Sequence, residues 1–329
     1  MLRGKRLVVL LALALVAAVA VQAALRLRPG DATAAATGAL SFGDNFWRLW
    51  GDGRAELAGY DLEFPRYGRP RKGTAVTIFV TETFSNSLRV KADPGKHPAS
   101  DEFPVMKLNL VQDFPTGIYD YNLMTSAFVA LRPVNGRPAG SATKVSFSAQ
   151  EWCGQVYSQI LFDHAVARLV SHSYFDGEAD REERLQIPDG ALAEDALLLW
   201  ARGFAAPALA PGESRQVDLV RSLRFARLQH QPLSVTKATL TRRKAAGRIT
   251  VPAGTFDAEV RTVAISGGPT WTFDVEAAAP HRILRWASSE GQQAQLLASD
   301  RLKYWEMNAP RYVSELAKLG LQPRRARMP

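Results

Sequence analysis

This chain of 329 residues holds a single cysteine, Cys153, so no internal disulfide is available to it. Stability has to come from backbone hydrogen bonding and apolar burial. The five histidines, His97, His164, His172, His230 and His281, lack His-x-x-x-His spacing, and the sequence implies no metal and no cofactor. There is no glycine-rich phosphate loop and no Gly-x-Ser-x-Gly elbow, which removes the commonest nucleotide-binding and hydrolase readings. Acidic residues are missing from both ends. Of the 41 Lys and Arg, five lie in residues 1–28 and three in Gln322–Pro329, leaving 33 basic against 32 acidic residues between them. The net charge of +9 therefore belongs to the termini. A nucleic-acid binder needs its basic stripe on the folded surface, so nucleic acid is excluded as a partner. The basic tail reads as a solvated terminus, with anionic phospholipid as the alternative.

Long apolar runs are also scarce, with one exception at the start. Arg3, Lys5 and Arg6 precede Leu7–Leu25, which is apolar but for Gln22, and Arg26 and Arg28 follow. A charged start, an apolar stretch and small residues near its end mark a secretory signal or an N-terminal anchor. Candidate cleavage sites end at Ala20 and Ala23, yet the run is also about 20 residues long, enough to span a bilayer. Both readings place the body in the periplasm, and the uncleaved one makes the inner membrane a partner through residues 7–25.

Beyond a small, polar linker at 29–40, the dominant signal is alternation with period two, bounded by Gly, Pro, Asn and Asp. Strands are expected at 74–84, with Val76, Ile78 and Val80 on one face, and at 105–114, 117–131, 143–150, 155–163 and 165–174. Further strands are expected at 216–228 and 233–241. The segment 248–298 reads as an antiparallel meander turning at Pro252-Ala253-Gly254. In its second strand Phe256, Ala258, Val260 and Ala264 share a face. Helix formers with early acids and a closing Arg202-Gly203 predict a helix over 191–204, and a short one is expected at 312–319. The expected fold is mainly β, with antiparallel curved sheets or half-barrels, an N-terminal signal or transmembrane helix and one or two short helices. Its boundaries are a first β subdomain at 41–190, a helix and linker at 191–211, a second β subdomain at 212–310 and a C-terminal helix and tail at 311–329.

Candidate chemistry is sparse. Glu151-Trp152-Cys153-Gly154 is half of a thioredoxin-type motif without its second cysteine, and a Cys153 nucleophile would need His164 or His172 nearby as base. Asp176, Glu178 and Asp180 alternate as in a calcium loop, but Arg181 and Ile187 stand where glycine and glutamate are required, so a solvated turn is expected. Aromatics are the positive signal. Tyr119, Phe256, Trp271, Phe273 and Trp286 are candidates to line an apolar groove on a curved sheet. Phe46, Trp47 and Trp50 fit either a core or a bilayer interface.

The string VPAGTFDAEV, the tryptophan strand after it and APHRILRW, all within Thr250–Leu297, resemble an uncharacterised proteobacterial family of exported proteins. FPVMKLNLVQDF at Phe103–Phe114, TGIYDYNLMTSAF at Thr116–Phe128 and SFSAQEWCG at Ser146–Gly154 resemble the same group. The resemblance implies an antiparallel half-open β-barrel, similar to the carriers that hold lipoprotein acyl chains. Such proteins often bear a septum-formation label of the Maf type. The Ser-x-Ser-Pro-Arg-Arg loop of Maf pyrophosphatases has no counterpart here, since Pro323-Arg324-Arg325 lies at the opposite end without the serines. The expected function is non-catalytic binding of an apolar ligand, an envelope component such as a lipid, or a protein partner. The alternatives are a thiol enzyme using Cys153 and a structural partner of the envelope or division machinery.

Overall fold

The structure, a computed structural model, describes residues 40–323. The leader at 1–28, almost all of the 29–40 linker and the arginines of the basic tail lie outside the described residues. A short helix α1 (Asp44–Trp50) precedes a run of antiparallel strands: β1 (Ala55–Arg66), β2 (Arg69–Ser85), β3 (Glu102–Pro115), β4 (Asp120–Ala130), β5 (Ala142–Glu151), β6 (Gly154–Phe162), β7 (Val166–Ser173) and β8 (Arg181–Gln186). Each pairs with the next. The first turn has only Tyr67 and Gly68, both at positive φ (55° and 70°), the two-residue geometry that matches strand twist.

The chain then leaves the sheet. A two-residue strand β9 (Leu192–Ala193), a 3-10 turn (Glu194–Ala196) and helix α2 (Leu197–Ala201) cross its inner face. Next come β10 (Ser214–Val220), helix α3 (Leu223–Gln229), β11 (Val235–Arg242), β12 (Gly247–Val251), β13 (Gly254–Ile265), β14 (Thr270–Glu276), β15 (Ile283–Ser288) and β16 (Gln293–Leu302). β16 returns to pair antiparallel with β1, from Ala55↔Leu302 to Glu63↔Gln293, so both halves of the chain belong to one large, curved, open sheet. β8 and β9 are its free edges. β8, REERLQ, carries the charges that keep an open edge from pairing with another chain. Among the described residues no helix is long and apolar enough to cross a membrane.

One core lies on the inner face. Tyr60, Phe79, Phe114, Phe147 and Phe162 from the first half meet Phe273 and Trp286 from the second around Leu197–Ala201, which is buried throughout. Trp50 is buried here too, 5.3 Å from the ring of Phe204, so it serves the core and not a bilayer interface.

Several expectations are corrected. On β2 the core-facing set is Ala75, Thr77 and Phe79. Ile78 and Val80 face outward and are covered by Leu319 and Leu321 of the C-terminal segment, which is a run of 3-10 turns (Pro310–Leu319) and not an α-helix. This remote cover makes the outer face of β2 look like core in the sequence. On β13 Val263 and Ile265 are buried and Ala264 is exposed, because the strand changes partner from β12 to β11 beyond Ala258. The expected helix at 191–204 is reduced to α2, since Glu194 and Asp195 turn away to hold the start of α3. The strand expected at 216–228 ends at Val220, where Ser222 caps α3 by accepting from the backbone N–H of Arg224 and Phe225.

Candidate binding groove

Three of the five expected lining residues come together. Phe273 and Trp286 are cross-strand partners on β14 and β15, and the rings of Trp271 and Phe273 lie 6.4 Å apart. Tyr60 packs on Trp286 at 4.6 Å and donates its hydroxyl to the Ile283 carbonyl at 2.9 Å; burial pushes that hydroxyl's pKa well up. Trp271, Phe273 and Trp286, with Leu110, Leu197 and Leu198, line a cavity of only about 50 Å³. A water occupies roughly 10–15 Å³ by this measure, so the space suits a few waters and not an acyl chain. The other two expected residues lie elsewhere. Phe256 is half-buried at the β12–β13 hairpin with the Arg282 guanidinium 5.3 Å from its ring. Tyr119 sits in the β3–β4 turn, 6.4 Å from the ring of Trp152.

Beside Leu197–Ala201, α3 also covers the inner face, and polar contacts fasten it there. At its start Asp195 accepts from Ser222 Oγ at 2.6 Å and from the Leu223 N–H at 2.9 Å, while Glu194 accepts from Arg221 Nε at 2.7 Å. Burial outweighs those hydrogen bonds and pushes the Asp195 carboxyl up to about 6. Further along, Arg224 donates to Gln112 on β3 at 3.0 Å and Arg227 to Glu151 on β5 at 3.2 Å. Arg66 at the end of β1 donates to the Leu228 carbonyl at 3.2 Å, and His230 pairs with Glu178 beyond β7. Burial depresses the Arg224 pKa, with Asp195 and Glu194 opposing that shift.

Beside α3 a groove of about 460 Å³ remains. Val156 and Ser158 of β6 and Leu169 and Ser171 of β7 form its floor, Leu223, Ala226 and Leu233 its wall. Arg181 and Glu183 of the edge strand, with Glu178, add charge at its rim. A second hollow, about 540 Å³, lies along β5–β7 between Gln150, Tyr157, His172 and Tyr174. Tyr157 and Tyr174 are exposed, and no helix walls it, so it offers a ligand less burial than the groove under α3.

Cys153 is exposed in the two-residue turn between β5 and β6. His164 lies beyond the far end of β6, a nine-residue strand roughly 30 Å long, and is 3.5 Å from Asp189. His172 points its Nδ1 at Asp180, 3.0 Å away. Asp180 and Glu178 are thus taken by histidines, and among the described residues no three His, Cys, Asp or Glu side chains converge as metal ligands would.

Sequence reasoning missed α3 and its arginines. The available signal was Ser222 followed by Leu-Arg-Phe-Ala-Arg-Leu, a cap and an apolar stripe at helical spacing, hidden by the strand that runs into it. No protein-family model matches this chain, and a search of curated proteins finds no match either.

Proposed function

We propose that this is a non-catalytic binding protein of the bacterial cell envelope that takes an amphipathic envelope component, or a partner's segment, into the groove beside α3. The observation that carries the reading is the groove itself. At about 460 Å³ it falls in the range of ligand sites, and it pairs the apolar side chains Val156, Leu169, Leu223 and Leu233 with serines and charged groups in a mixed lining. Burial of those apolar side chains would supply the affinity, at roughly 25 cal/mol per Å² of apolar surface, and Arg181, Glu183 and Glu178 would orient the ligand. The leader at 7–25, as signal or as inner-membrane anchor, supports an envelope location, and the resemblance in Thr250–Leu297 to half-open carriers supports binding over catalysis. The small volume at Trp271, Phe273 and Trp286 directs the ligand to the groove and away from that aromatic cluster.

The test is native mass spectrometry of the full chain, extracted from the envelope in mild detergent, beside a Ser171→Trp variant that fills the groove from a half-buried position. The expected result is a discrete added mass on the wild type that the variant loses while keeping its unfolding midpoint. Bare protein after incubation with envelope lipid extract, or an added mass that survives Ser171→Trp, would overturn the reading.

A further inference from the structure

Arg224 has a second feature, separate from the groove. Its guanidinium forms part of the wall shared by two spaces, the inner cavity of about 50 Å³ and an outer cleft of about 80 Å³. The cleft runs between Phe64 and Pro65 at the end of β1, Leu228 of α3 and the β15–β16 turn at Ser288 and Glu290. Arg224 makes one hydrogen bond, from Nη1 to Gln112 Oε1, and packs 5.7 Å from the ring centres of both Phe64 and Trp271. Among the described residues no carboxylate lies within 4 Å of its nitrogens, whereas the neighbouring Arg221 and Arg227 each have one.

A second donor borders the same place. Trp271, which lines both spaces, is 7% exposed, and its indole Nε1–H meets no acceptor among the described residues. Gln112, 1% exposed, gives its oxygen to Arg224 and leaves its Nε2 without an acceptor. A buried donor left unmet costs about 1–3 kcal/mol, so native proteins meet nearly all of them. The nearby carboxylates do not serve. Glu194 is held through Oε2 by Arg221 and the Ser222 N–H, Asp195 spends both oxygens on Ser222 and Leu223, and Glu194 and Glu290 line the outer cleft more than 4 Å from the Arg224 nitrogens. The Arg224 guanidinium and the Trp271 indole N–H are the donors at the cleft, Glu194 and Glu290 also line it, and the small volume limits the partner to a few heavy atoms.

We infer that this cleft is a binding site for a small organic carboxylate, held by the Arg224 guanidinium with the Trp271 indole N–H as second donor. A planar carboxylate suits the guanidinium fork, and its two oxygens accept without needing to donate. The site is independent of the groove beside α3, so either stands if the other fails.

The test is thermal unfolding of the full chain titrated with sodium acetate, against sodium chloride and sodium phosphate at matched ionic strength and pH. Acetate is expected to raise the unfolding midpoint saturably, with chloride and phosphate giving no saturable rise. Arg224→Gln should abolish the acetate effect. Trp271→Phe keeps the ring and removes the donor, and should weaken acetate binding about 5–10-fold; it also keeps the test decisive should Arg224→Gln fold poorly. No saturable rise with acetate means that these donors meet water only, and the inference fails. A rise that Trp271→Phe leaves unchanged, or one produced by phosphate instead, overturns it equally.

Discussion

Removing the guanidinium of Arg202 should destabilise this fold more than any other single charge change, because the whole group is buried and every face of it is used. Its side chain has no exposed area and that of Glu56 has 4%. Arg202 donates to Glu56 Oε1 at 2.5 Å and Oε2 at 3.1 Å, to the Pro280 carbonyl at 2.7 Å and to the His281 carbonyl at 3.0 Å. The ring of Phe79 lies 4.5 Å from its Cζ. The contacts tie the chain just after α2 to β1 and to the β14–β15 connection, joining both halves of the sheet. Arg202→Met keeps much of the volume but strands a carboxylate and two carbonyls. Breaking one side of a buried pair costs about 3–5 kcal/mol, and the lost carbonyl partners put this case near the upper end. With a urea slope of about 3 kcal/mol/M, the unfolding midpoint should fall by roughly 1.3–1.7 M. The double variant Glu56→Leu with Arg202→Met removes the stranded charge and should recover at least about 2 kcal/mol relative to additive single effects. The reasoning is refuted if Arg202→Met costs under about 1 kcal/mol, or if the two substitutions simply add.

Asp195, with its carboxyl raised to about 6, binds its proton more tightly folded than unfolded. Its contribution is thus fully present below pH 4 and is lost as pH rises to about 6, amounting to roughly 3 kcal/mol at 1.36 kcal/mol per pH unit. Thermal unfolding of Asp195→Asn should therefore gain on the wild type between pH 4 and 6.5, and a constant difference across that range would contradict the assignment. Gly59→Ala places a Cβ 2.1 Å from the Leu319 carbonyl oxygen and 2.9 Å from Leu321 Cγ, so the C-terminal cover must lift. We expect a loss of about 1–3 kcal/mol and faster limited proteolysis at 310–321, and wild-type cleavage rates would count against it. Cys153→Ser, in an exposed turn, should change stability by less than about 0.5 kcal/mol, while the native thiol reacts fully with Ellman's reagent before any unfolding. A native thiol that resists the reagent would show the turn to be covered.

Most strands and turns were legible in the sequence, though not β1 or β8, because they rest on local physics: the two-residue period of side chains along a strand, and the glycines, prolines and asparagines that reverse it. The meander of β12–β16 and the approach of Phe273 to Trp286 follow from that pattern, as neighbouring strands with short turns must register side by side. The N-terminal apolar run likewise announced itself by composition alone. Only the tertiary structure decided which face of a strand is core. Val80 alternates like an inward residue and is covered from outside by Leu319, more than 230 positions away. It alone decided that β16 closes on β1, and that a seven-residue helix packs on the inner face beside the expected aromatic groove. Pairing between distant strands, and the docking of α3 through Arg224, Arg227 and Arg66, depend on partners that no sequence window contains. For that reason the groove, the Arg224 cleft and the Glu56–Arg202 pair appear only once the chain is folded.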